Sequence, residues 1–157
     1  MLAAARARDE AASREEIVVR AAEVQSRLVQ IVAMESLEYL ETDGRIGDAA
    51  KWVGTMLNVK PVVAINHHTG KVELVGLART HKAWVRMLYS KFFKGVSEGK
   101  GLRIAVLHRD ALDEVQKLAE RIEKVYSPVE MIINMMGPVL GINTGPGALA
   151  LCGYVEG

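Results

Sequence analysis

Residues 131–151 read MIINMMGPVLGINTGPGALAL. An apolar, β-branched stretch comes first. Eleven residues follow, Gly137–Gly147, with four of the chain's 14 glycines and two of its 4 prolines. A second apolar stretch closes the segment. The flanks predict strands over 129–135 and 148–156. A simple hairpin turn takes about two to five residues, so eleven exceed what a connection needs. Two readings stand. The segment is either a stiff connector, with glycines at positive φ and prolines rigidifying the rest, or a ligand-contact loop. In the second reading, successive backbone N–H groups form an anion-binding nest, and the Asn143 amide and Thr144 hydroxyl add donors. A small anion or a carboxylate head group is the natural guest.

Working outward, LRIAVLH (102–108) and LVQIVAM (28–34) also read as strands. PVVAIN (61–66) and KVELVGLA (71–78) flank HHTG and predict a hairpin. Between the strands lie helical signals. Ser13-Arg-Glu-Glu16 is a capping box, followed by Ile17, Ala21, Val24 and Leu28 on one stripe. Thr80 caps a helix with Trp84, Met87, Leu88 and Phe92 on its apolar face. GKG at 99–101 breaks that helix. Asp110 is expected to start another, carrying Leu112, Val115, Leu118, Ala119 and Ile122. Ser36 is expected to cap SLEYLET, and 44–58 reads as helical until Pro61 stops it. Helices and strands alternate around one hairpin, which predicts an α/β fold with a mixed β-sheet flanked by helices. The first 30 residues form a lead-in helix, and 31–157 form the domain proper.

A chain of 157 residues is one domain by default, long enough for a core without staples. The net charge of +1 gives no basic excess for nucleic acid. A single cysteine, Cys152, rules out an intrachain disulfide and suits a reducing, cytoplasmic setting. No apolar run approaches the roughly 18 residues of a membrane span. The N-terminal MLAAARARDEAASREE is rich in Ala and Arg, but its four acids argue against a transit peptide and for the start of a helix.

Catalytic patterns are missing. There is no Gly-x-Ser-x-Gly elbow, no Walker loop and no strand-led Gly-x-Gly-x-x-Gly. His67 and His68 sit at a hairpin tip and read as solvated, with no Cys/His pair at zinc spacing. His81 reads as exposed, and His108, at a strand end, as a structural hydrogen-bonder. Cys152 lies in an apolar strand with no charge beside it and reads as an inert core thiol. No enzyme, metal or cofactor is supported.

Four ordered stretches carry a resemblance. PVEMIIN followed by GPVLGINTGPGALAL resembles the C-terminal signature of the DegV family of bacterial lipid-binding proteins. SLEYLETDGRIGDAAKWVGTMLNVKPVVAI is similar to that family's central segment. GKVELVGLART resembles its hairpin with the following Arg-Thr, and LRIAVLHRDALDE its strand–His–helix unit. The match runs from about Glu15 to Tyr154.

The resemblance implies the C-terminal α/β domain of the family's EDD fold. It implies binding of one long-chain fatty acid by a protein without catalysis, an acyl carrier that presents the carboxylate to a fatty acid kinase. It places Asn143, Thr144, Gly145 and Gly147 at the ligand, with Arg45 and Arg79 near the head group or the kinase-facing surface. The family's N-terminal domain, with its Thr/Ser pair for the carboxylate, would precede Met1, so the chain is expected to be either a fragment or a truncated relative. The alternative expectation is therefore a truncated interaction or homodimerisation module that no longer binds lipid.

The family loop usually has histidine where this chain has Asn143. A histidine can become cationic, whereas Asn143 donates only a neutral amide, and charge-assisted bonds are roughly twice as strong. Head-group binding here is expected to be weaker and flatter with pH.

Overall fold

The structure, a computed structural model, describes residues 1–36, 38, 59–67, 69–96 and 99–156. The chain begins with two helices, α1 (Leu2–Asp9) and α2 (Arg14–Arg27), and then enters β1 (Val29–Ala33). The hairpin β2 (Lys60–Ile65) and β3 (Val72–Ala78) leads to α3 (His81–Gly95). Then come β4 (Leu102–His108), α4 (Leu112–Tyr126), β5 (Glu130–Met135), α5 (Pro138–Thr144) and β6 (Leu149–Val155). The six strands form one sheet in the order β3-β2-β1-β6-β4-β5. Only β4 and β5 run parallel, joined by the α4 crossover; the other pairs are antiparallel. The mixed α/β sheet expected from the alternation is what forms.

One face of the sheet builds the main core. In β4 burial alternates with the pleat, so Leu102, Ile104, Val106 and His108 point inward. They meet Ile31, Leu149 and Leu151 of the neighbouring strands, covered by Trp84, Leu88 and Phe92 of α3 and by Val115, Leu118 and Ile122 of α4. Each such large side chain contributes about 1.5–3 kcal/mol when fully buried. The indole N–H of Trp84 donates to the Pro61 carbonyl at 3.1 Å, so the largest core residue leaves no polar atom unpaired.

The opposite face carries a smaller cluster of Val32, Met34, Val63, Met136, Ala148 and Ala150. Among the described residues, no long helix is buried against it. α2 has no buried residue, and α1 buries only Ala7.

The predicted caps at Ser13 and Thr80 form, the first as a complete capping box. Asp110 does not start α4. It adopts a left-handed backbone (φ 55°), and Ala111 is the N-cap. The Ala111 N–H is met instead by Nδ1 of the buried His108 at 3.2 Å. The histidine thus anchors the backbone just before the helix, whose start has no side-chain cap. The helices expected over 36–58 fall outside the described residues, Ser36 and Glu38 apart.

Gly153, in β6, has no room for a side chain: a Cβ would lie 2.5 Å from the Arg103 carbonyl oxygen and 3.1 Å from Phe92. Gly153→Ala should therefore lower unfolding free energy by about 1–3 kcal/mol through overpacking. Gly137→Ala, where a Cβ meets nothing within 4 Å, should cost under about 1 kcal/mol, the difference between Gly and Ala as an N-cap. Urea denaturation of both variants checks this, and equal losses would contradict the packing described.

Candidate functional site

The Gly/Pro segment is not an open loop. Gly137 is the N-cap of α5, Pro138 occupies its first turn, and the helix ends at Gly145 with φ 73°. Proline's fixed φ and missing N–H suit that first turn. The amides expected to form a nest are engaged: Gly145 N–H donates to Gly141 O at 3.1 Å, and Gly147 N–H to Arg109 O at 2.8 Å. Arg109 N–H in turn donates to Ala148 O at 2.8 Å. The segment is thus a helical plug clipped to the end of β4.

Among the predicted contact residues, Thr144 is buried, with its hydroxyl donating to Leu140 O at 3.0 Å and Met136 Sδ at 3.6 Å. Gly145 is buried too, and Gly147 has φ 77°. Asn143 is half-buried, and its Nδ2 donates to Val139 O at 3.0 Å. It lines an apolar groove of about 460 Å³ between α5 and the β2–β3 hairpin, with Ile65, Val72, Pro138 and Leu140. Arg79 is exposed just after β3, away from that groove. Arg45 lies outside the described residues, as does His68.

A second concavity lies on the same sheet face. It measures about 270 Å³ and is lined by Leu2, Val24 and Leu28 of the N-terminal helices, with Ala105, Ile132 and Cys152 from the sheet. The pleat sets the shared face. Ala105 is two residues from Leu107, and Cys152 two from Ala150, both in the smaller cluster. The cavity and the Asn143 groove therefore flank one apolar surface. Burial raises the Cys152 thiol above its ordinary value, against a smaller lowering effect of Gln30, so the thiol stays protonated and unreactive at neutral pH.

Some features had no signal in the sequence. Arg109 lies so close to α5 that a Cβ on Gly141 would collide with its guanidinium. His67, expected to be solvated, has a buried Nε2 without a partner among the described residues. His81 is exposed and pairs with Glu114. The apolar residues before α5 divide: Met131 and Met136 pack inward, while Ile133 and Met135 are exposed.

Charged residues mark the edge of the cavity. Arg6 of α1 reaches both Glu130 oxygens at 2.5 Å. Arg103 donates to Glu130 at 3.2 Å and to Glu156 at 2.5 Å. Burial alone would raise the Glu130 carboxyl; the two arginines outweigh it and hold it below its ordinary 4.5. A lowered folded-state pKa stabilises the fold above the unfolded value, and that stability is lost as pH falls through the folded pKa. Glu130→Gln should thus destabilise the chain by up to about 1 kcal/mol at neutral pH, a partly exposed pair being screened. The gap from the unsubstituted chain should shrink as pH drops below 4.5. Denaturation across pH 3–7 checks this (~3–7 spans the carboxylate range), and a gap independent of pH would contradict it.

The model of the DegV family, an uncharacterised protein family, matches residues 1–156. A DegV domain-containing protein of Clostridium acetobutylicum is 32% identical over 155 residues, covering 99% of this chain and 53% of the relative. Protein DegV of Bacillus subtilis is 29% identical over 143 residues, covering 90% and 50%. The chain spans about half the length of these curated relatives. Among solved structures, a DegV family protein from Thermus thermophilus described for fatty acid binding superposes with a TM-score of 0.85 at 27% identity. That match covers 99% of this chain and 55% of the other. DegV from Bacillus subtilis, described as a fatty acid binding protein, gives 0.81 at 27%, with the same coverage. With a family match over residues 1–156, the chain belongs to the DegV family.

Proposed function

We propose that this chain is a non-catalytic acyl carrier that holds a long-chain fatty acid in the cytoplasm and presents the carboxylate to a fatty acid kinase. The observation that supports the reading is an apolar sheet face that, among the described residues, has a cavity beneath α1–α2 and a groove bearing Asn143 by α5. β4 and β6 each have seven residues, so the face runs about 20 Å, the scale of an extended acyl chain. Two relatives of known structure are described as fatty acid binders.

The tail supplies the affinity. Each buried methylene is worth about 0.8 kcal/mol. A long chain contributes roughly 10 kcal/mol gross before the cost of ordering it. The head group must still be hydrogen-bonded, or desolvation erodes that gain. The proposal assigns that bond to Asn143, which lines the groove, with Thr144, Gly145 and Gly147 shaping the turn that holds the helix end. Arg79 and Arg45 belong to the head-group or kinase-facing side. Residues 1–30 act as a cover over the cavity and 31–157 as the body beneath it. The raised thiol pKa of Cys152 supports a role without chemistry.

Mass spectrometry of an organic extract of the purified protein should show a fatty acid at near-equimolar level. In titrations with a fluorescent fatty acid, Ala105→Phe should fill the cavity and weaken binding roughly tenfold, about the worth of two lost methylenes. Asn143→His should bind several-fold tighter below about pH 6.5, where imidazole becomes cationic, while the natural chain stays flat over that range. An extract without fatty acid together with a titration without binding would overturn the reading; binding unaffected by both substitutions would move the guest elsewhere.

A further inference from the structure

Helix α3 breaks two local rules at once. Its sequence, HKAWVRMLYSKFFKG, holds four lysines and arginines and no acid. Lys82 lies in the first turn, where the helix dipole disfavours a cation. Lys82, Arg86, Ser90 and Lys94 recur every four residues and are all exposed, so they form one outward row with like charges stacked on it. None of the three cations has an ion pair among the described residues. Among the described residues, the acid paired with this helix, Glu114 of α4, is taken by His81. Arg121 of α4 widens the cationic surface, its guanidinium 4.1 Å from the centre of the Tyr89 ring. The chain as a whole carries only +1, so this face is a local concentration of charge rather than a reflection of bulk composition.

We propose that this row on α3 is a docking surface for the acidic face of a partner protein. Charge complementarity sets the chemistry of the partner, and the surroundings favour protein over membrane. A helix that lies on lipid inserts its apolar side. Here that side, with Trp84, Leu88 and Phe92, is sealed in the core at 0% exposure. No large hydrophobic residue of α3 is among the exposed ones. The proposal stands apart from fatty acid binding, since the row lies on the helix covering the opposite face of the sheet.

The test uses the full chain with three probes at one ionic strength: poly-L-glutamate, phosphatidylglycerol vesicles and duplex DNA. The chain should bind poly-L-glutamate in preference to the other two. The triple variant Lys82→Gln, Arg86→Gln, Lys94→Gln should lose roughly tenfold in affinity, the sum expected of three exposed ion pairs. The control Arg14→Gln, Arg27→Gln, Lys100→Gln removes the same charge elsewhere and should lose under about twofold if the row is specific. Circular dichroism should report unchanged helix in both. Equal losses in the two variants would overturn the proposal, as would tighter binding to vesicles or DNA through the same three residues.

Discussion

The last strand of the chain is not at the edge of the sheet. β6 enters between β1 and β4, antiparallel to both, with Leu151 beside Ile31 on one side and Val106 on the other. Its central position imposes two constraints. Gly153 must lack a side chain, because β4 and Phe92 already fill that space. The chain leaving β5 at the far edge must also turn back over the end of β4, and α5 with its flanking glycines makes that turn. The backbone of Arg109 bonds Gly147 and Ala148 together, so β4 itself clips the turn in place. The helical plug and the central strand form one mechanical unit.

That unit leaves the two faces of the sheet unequal. Helices α3 and α4 seal one face with large side chains. The other holds mainly small or slender residues, such as Ala105, Ala148, Ala150 and Cys152, with α5 near one end and α1–α2 over the other. Small side chains beneath a loosely attached cover create space rather than core. The cover itself is tied by a partly exposed ion network around Glu130, not by buried apolar area. In the proposed reading, the same economy of side-chain volume that looks like a weak core would give an apolar guest its room.

Much of the fold was legible because its signals are local. The period-two pattern of Leu102–His108, the turn residues between β2 and β3, and the caps at Ser13 and Thr80 each act within a few residues. The plug was not legible. Seven residues are too few to show a helical period, and Gly141 and Pro138 both argue against a helix until the packing of Arg109 is known. The start of α4 was misplaced because Asp110 takes a left-handed backbone and Ala111, held by Nδ1 of His108, becomes the N-cap. Asn143 was singled out from the polar centre of the loop, and the family pattern added its contrast with histidine. The cavity could not be, because it depends on Arg6 meeting Glu130 across 124 positions.

The central claim is that an acyl chain lies along the face bearing Ala105, Ala150 and Cys152. Filtered nuclear Overhauser spectra between a ¹³C-labelled fatty acid and the unlabelled protein would test it most directly. The account predicts contacts from the methylenes to the Ala105 and Ala150 methyls and to the Cys152 β-protons, with the carboxyl end nearest Asn143. Contacts confined to surface residues of α3 or α4, with none to those three side chains, would contradict it.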